Sequence, residues 1–195
     1  GAKVLHMRCV ELGAKYKMPI QVLSSFSPEI PGTLIVGEDK MLESPVVSAV
    51  TADSGESLLE LVLPESQARF PAKIFRLLAD KEINVDIIVR SAKSPDGQCC
   101  ISFTVPKSEE NLALQVLSDF SVKKIEKDLV KISIVGIGMH AHSGVAATFF
   151  EVLETAQIPL FLVSTSEIKV SVMIEEAFKE QAIRGLHAAF DLSNN

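Results

Sequence analysis

One pattern occurs twice in this chain. Phe70, Ile74, Leu77 and Leu78 fall on one face of a helix. Val145, Phe149, Val152 and Leu153 do the same, each 75 positions after its counterpart. The apolar stretch after the first helix, Ile83–Ala92 (INVDIIVRSA), returns at the same offset as Ile158–Glu167 (IPLFLVSTSE). A helix face and a strand that share one offset define an internal repeat, so the chain must build two related small units rather than one large core.

Taken in order, the first unit reads as strand Leu58–Leu63, a turn over Pro64–Ala68, and a helix to about Lys81. Strand Ile83–Arg90 follows, then a hairpin turn at Ser94-Pro95-Asp96-Gly97 and a return strand, Cys99–Val105. A helix over about Glu109–Asp119, with Ser108 as its N-cap, and a closing strand at Val122–Ile125 complete the order βαββαβ. The second unit runs from strand Lys131–Gly136 into its helix through a turn bracketed by Gly136, Gly138 and Gly144, where backbone N–H groups can approach a small anionic ligand closely. It continues through Ile158–Glu167, a shorter hairpin and strand Ile168–Ile174 to a last helix over about Glu175–Phe190. No room is left there for a sixth element. Val46–Asp53, a lone strand that Ser54-Gly55 should end, is the natural donor. The expected fold is α+β: two ferredoxin-like βαββαβ domains, the first inserted in the second, spanning 54–128 and 46–53 with 129–195. Both helices of each should lie on one sheet face, leaving the other face and the edges free for pairing.

The first 45 residues differ. Leu5, Cys9, Leu12 and Tyr16 make one helical face, Met18-Pro19 ends it, and Ile20–Leu23 and Thr33–Val36 are short strands. One helix and two short strands cannot close a core, so this piece reads as the tail of a larger domain plus a linker.

Composition excludes several roles. Apolar residues are 47% of the chain, which is globular rather than disordered. The net charge of -6 without a Lys/Arg cluster argues against nucleic acid and anionic membranes. No apolar run reaches the ~18 residues of a membrane span. The three cysteines have no CxxC spacing and suit reduced thiols in a cytoplasmic protein. No catalytic Ser/His/Asp or Cys/His set is present, His140 and His142 lack a second metal-ligand pair, and no cofactor is expected. Gly136-Ile137-Gly138 after a strand suggests a dinucleotide turn, but the strand that follows enters a short hairpin instead of a parallel crossover.

The sequences GAKVLH with SSF, INVDIIV with ISFTVP, KISIVGIGM, HSGVAA and STSEIKVSV resemble the C-terminal part of the aspartate kinase family. The resemblance covers nearly the whole chain. It implies paired ACT domains that bind lysine, threonine or both and inhibit aspartate phosphorylation. It also implies a dimer through those domains, and a kinase catalytic domain or subunit as partner. Gly1–Val36 then resembles the last helix and strands of a kinase domain, and the family's nucleotide and aspartate motifs are not found. A free regulatory subunit and a fragment of a longer kinase both fit, and the chain by itself should not be a kinase.

An amino acid needs N–H donors for its carboxylate and acceptors for its ammonium. A turn feeding a helix N-terminus supplies the donors, here Met139–Ala146. Within it His142, Ser143 and Gly144 match the family's His-Pro-Gly with Ser143 in place of proline, followed by Val145 and Ala146. Thr165, Ser166 and Glu167 at the strand end complete the set, with Glu167 suited to a lysine side chain. The plain alternative is that Ser166 and Glu167 only cap the hairpin. In the first unit the family's Asp-x-Pro-Gly turn is replaced by Ser66-Gln67-Ala68-Arg69, and Arg90 stands where Gln is usual. Asp86, an acid in an apolar strand, is kept and can take an ammonium. Pro159 and Leu160 face it from the other unit. The alternative is a structural dimerisation module whose effector sites do not function.

Overall fold

The computed structural model describes residues 4–37, 46–64, 66, 71–91, 97–136 and 144–192, with backbone only for Met7 and 123–127. It divides into two compact pieces, Gly1–Pro45 and Val46–Asn195.

The N-terminal piece holds helix α1 (Met7–Lys15) and an antiparallel pair, β1 (Ile20–Val22) with β2 (Thr33–Ile35), in register Ile20↔Ile35. His6 caps α1, its Nδ1 accepting from the Arg8 N–H at 3.3 Å. None of its described residues is buried, and Tyr16 is 66% and Phe26 96% exposed. As expected, this piece has no core of its own.

The C-terminal piece is built on one six-stranded antiparallel sheet. Its strands are β3 (Ala49–Pro64), β4 (Ile88–Arg90), β5 (Gln98–Pro106), β6 (Val122–Val135), β7 (Leu162–Thr165) and β8 (Lys169–Glu175), in spatial order β4-β5-β3-β6-β8-β7. Helices α2 (Ala72–Ala79) and α3 (Glu110–Val116) belong to the first repeat, α4 (Gly144–Thr155) and α5 (Lys179–Ala189) to the second. In the first repeat Ile74, Leu78, Ala113 and Leu117 pack on Leu59, Leu61, Leu63, Ile101 and Phe103. In the second, Val145, Phe149, Leu153, Ala182 and Leu186 pack on Val130, Ile132, Ile134, Val170 and Val172. Period-2 burial along the strands and 3.6-period burial along the helices make these two cores, as the sequence pattern requires.

The repeat extends into the backbone. Glu82 and Gln157, 75 positions apart, both end a helix in the left-handed region, at φ 59° and 54°. The next residues close the same bond, Ile83 N–H to Leu78 O and Ile158 N–H to Leu153 O, each at 3.0 Å. Ser91 and Ser166, also 75 apart, close the two hairpins: the Ser91 Oγ accepts from Cys100 N–H at 2.8 Å, and that of Ser166 from Lys169 N–H at 3.2 Å.

Four expectations need correction. Ser54-Gly55 does not end a strand, because β3 runs unbroken for 16 residues through Gly55 at φ 93°, where the register shifts between Ser54 and Glu56. A glycine absorbs the bulge without a Cβ penalty. Likewise the segments at Val122–Ile125 and Lys131–Gly136 are one strand, β6, bent at Asp128 with φ 56°. The two halves of β3 serve different repeats. Leu58–Pro64 pairs with β5, while Ala49–Ser54 pairs with Val130–Val135 of β6, in register Ala49↔Val135. Ser108 caps nothing, because Lys107–Glu109 form a 3-10 turn and α3 starts with Glu110. Regular pairing in the expected strand Ile83–Arg90 is confined to Ile88–Arg90.

A further one concerns the helix-free face, which is not left open. Leu58, Ile87, Leu129, Leu162 and Met173 form a third buried cluster, with Phe161 packed against it. Ile87 adjoins edge strand β4 and Leu162 lies on the opposite edge strand β7, five strand spacings or about 24 Å apart in a flat sheet. Leu58, Leu129 and Met173 on the strands between carry the cluster across the face, Met173 standing opposite Leu162, and the register breaks beside Gly55 and Asp128 add curl to the long strands. The edges do stay unpaired within the described residues, with Ile88 53% and Val163 40% exposed.

Candidate functional site

At the second repeat, β6 leaves the sheet beside the tip of the β7–β8 hairpin. The Gly136 N–H donates to Ile168 O at 2.9 Å, and Val135 pairs with Lys169. Thr165, Ser166 and Glu167 are exposed at that same end. The described residues Gly144 and Ala146 open α4 and are exposed, and a Cβ on Gly144 would meet nothing within 4 Å. Met139, His142 and Ser143 lie outside the described residues. Val145 is 9% exposed and its side chain belongs to the core, so only its backbone faces outward chemistry.

Two of these groups have structural duties. Ser166 holds the hairpin closed: its N–H donates to Lys169 O at 2.8 Å and its Oγ donates to the same oxygen at 3.4 Å. Gly136 is small for a reason other than a ligand. A Cβ there would stand 1.7 Å from the carbonyl oxygen of Val46, so the close approach it permits is that of the incoming strand.

The structure separates the remaining predicted residues. Pro159 and Leu160, both exposed, precede Phe161 at the seam between the repeats. They lie beyond the Leu162 end of β7, whereas Glu167 lies beyond its Thr165 end. Asp86 also lies at the seam, beside Ile87, whereas Arg90 lies at the outer end of β4 with its Nη2 3.6 Å from the Cys99 Sγ. Ser66 is exposed, and Gln67, Ala68 and Arg69 lie outside the described residues.

Asp86 does take an ammonium, that of Lys131. Lys131 Nζ bonds its carboxylate and stands 3.5 Å from Asp53 Oδ2, with the lysine side chain 11% exposed. Burial works against the lysine's charge, but the Asp86 bond and the charges of Asp86, Asp53 and Glu56 outweigh it and hold the ammonium above its ordinary pKa. Glu56 faces the same group. Burial raises its carboxyl above the ordinary range, opposed by the Thr104 hydroxyl and Lys131 and reinforced by Asp86 and Asp53. Its Oε2 is buried without a hydrogen-bond partner. Nothing in local sequence spacing joins Lys131 to Asp86, 45 positions away. The signal was only that each is a charge inside an apolar strand.

The fold alone defines a class: two four-stranded antiparallel sheets with paired helices, fused through shared long strands. Comparison with known proteins narrows it. The ACT domain model matches residues 65–119 and 132–190. A solved structure of aspartokinase alpha and beta subunits is similar over 99% of its own chain and 75% of this one, at 34% identity and TM-score 0.68. The ligand-free regulatory subunit of aspartate kinase from Thermus thermophilus is similar over 99% of its chain and 74% of this one, at 29% identity and TM-score 0.68. The aspartokinase of Mycolicibacterium smegmatis is 37% identical over 204 aligned positions, covering 100% of this chain and 48% of that protein. The chain belongs to the ACT-domain family, as an aspartokinase regulatory region. It spans about half the length of the curated relatives it matches, 48% in the first of them. No helix among the described residues is long and apolar enough to cross a membrane.

Proposed function

We propose that this region binds lysine, threonine or both and conveys their concentration to an aspartate kinase active centre. The observation that carries the reading is the end of the second repeat, where β6 leaves the sheet beside the exposed Thr165-Ser166-Glu167 hairpin tip. There the backbone donors of Met139–Ala146, with His142, Ser143 and Gly144 among them, receive the effector's carboxylate. Glu167 receives an ammonium, and Thr165 and Ser166 add hydroxyls. The first repeat offers Asp86 and Arg90, with Pro159 and Leu160 contributed across the seam. An effector ammonium at Asp86 would share or replace Lys131.

Domain limits follow the repeat: 54–128 for the first ACT domain, 46–53 with 129–195 for the second, and 1–45 as kinase-domain remnant and linker. The donation of Ala49–Ser54 to β6 supports that nesting. The apolar edge strands β4 and β7, which pair with no further strand among the described residues, favour a homodimer through the ACT domains. Phosphotransfer is assigned to a kinase domain or subunit in a cytoplasmic assembly, and this region needs no cofactor or metal.

Calorimetric titration of the chain with lysine and with threonine tests the reading. At a hundred times its dissociation constant an effector should stabilise the fold by about 2.7 kcal/mol. Glu167→Ala or Ser166→Phe should weaken binding while the chain still folds. Heat from neither amino acid, together with no thermal shift, would leave a dimerisation module without working sites.

A further inference from the structure

Lys131 occupies a row of the helix-free sheet face that is otherwise closed, between Leu129 at 1% and Ser133 at 4% exposure, beside Met173 at 0%. A lysine in such a row is costly unless its charge is met. Its cross-strand neighbour Asp53 meets part of it at 3.5 Å. The closer partner, Asp86, belongs to the segment before β4, and β5 and β3 stand between β4 and β6 in the sheet order. The contact therefore reaches across two intervening strands, which the curl at the Gly55 and Asp128 register breaks favours and a flatter sheet would stretch. The adjacent seam of Leu58, Ile87, Leu129, Leu162 and Met173 is apolar and non-directional, so it does not by itself fix the bend. Every described charged group that faces the lysine from the packed strands, Asp53 and Glu56 on β3 and Asp86 before β4, is acidic.

We propose that Lys131 and Asp86 form a clasp that sets the bend between the two repeats. Through it, occupancy of one repeat's effector site changes the other; this second consequence rests on the effector reading above. The clasp differs from a surface ion pair because the lysine is largely buried and its partner comes from the other repeat. A closed clasp holds the seam shut, and an open one frees the two cores to turn about the Gly55 and Asp128 breaks without unfolding either.

Hydrogen exchange on the full chain, with Lys131→Met, Asp86→Asn, the double variant and Lys131→Arg, tests it. The Ile87 amide, which donates to the Thr104 Oγ1, and the Phe161 amide, which donates to Met173 O, report on the seam. Each single loss should speed their exchange at least tenfold while amides of the two repeat cores stay protected. The double variant should be no worse than the worse single, and Lys131→Arg should retain most of the protection. Unchanged seam exchange, acceleration spread uniformly over both cores, or multiplicative effects in the double variant would each overturn the clasp. Saturating lysine or threonine should alter seam exchange in the wild type and not in Lys131→Met. A chain that binds neither amino acid fails the effector reading alone, and the exchange of the variants still decides the clasp.

Discussion

Gly136→Ala should be among the most damaging single-methyl changes in this chain. The added Cβ would lie 1.7 Å from the Val46 carbonyl oxygen and 2.9 Å from the Val47 Cα, both backbone atoms that no rotamer change can move. The incoming strand must therefore recede by well over an ångström. That displacement strains the Ser48 N–H to Val135 O bond at 2.7 Å, the Ser48 Oγ bond to the same oxygen at 3.1 Å and the Gly136 N–H to Ile168 O bond at 2.9 Å. At about 1 kcal/mol each, these bonds amount to roughly 3 kcal/mol. Val47, 3% exposed, loses part of its burial as well. Full exposure of such a side chain costs about 1.5–3 kcal/mol. An overall loss of about 3–5 kcal/mol lowers Tm by roughly 6–20 °C for a domain of this size. Thermal unfolding followed by circular dichroism reads this directly, with Gly144→Ala as the control, since that Cβ meets open space at a helix start. The control should melt no lower than wild type. A Gly136→Ala melting point within about 2 °C of wild type would refute the reasoning, because the strand would then accommodate a clash the geometry forbids.

Gly55→Ala isolates backbone strain. Its Cβ would touch nothing within 4 Å, yet φ is 93°, so a loss of about 1–2 kcal/mol in denaturant unfolding is expected, and no loss would show that the bulge relaxes freely. Glu56→Gln should raise stability at pH 7. The folded carboxyl is raised above its ordinary pKa by burial, so its charge costs stability above that raised value and the cost fades as pH falls towards the ordinary carboxylate pKa. The Tm difference between variant and wild type should therefore shrink on acidification, and a constant or widening gap would contradict it.

The resemblance of GAKVLH, INVDIIV, KISIVGIGM and STSEIKVSV points to the family from the sequence alone, and the ACT domain match and the similar aspartokinase chains bear it out. The repeat itself was legible because it is local. Helix faces and alternating strands write themselves at fixed spacing, and an offset of 75 carries over even to the left-handed Glu82 and Gln157. Sequence also marked the second repeat's turn and hairpin tip as places for polar chemistry, although Ser166 proved to be tied into the hairpin. Glycines misled twice. Gly55 looked like a strand end and is a bulge, and Gly136 looked like a ligand approach and is a strand approach. A sequence shows that a Cβ is absent but not which atom takes its place.

What the sequence determined by itself was two βαββαβ units and the residues of their two cores, since hydrophobic periodicity decides which side of each element is buried. The contacts between strands that are distant in sequence came from the folded arrangement. The third cluster of Leu58, Ile87, Leu129, Leu162 and Met173 is one such feature, and the seizure of Asp86 by Lys131 is another. These join residues of strands that are not neighbours in the sheet, and no local pattern encodes a contact that depends on how the long strands β3 and β6 pair and curl at Gly55 and Asp128.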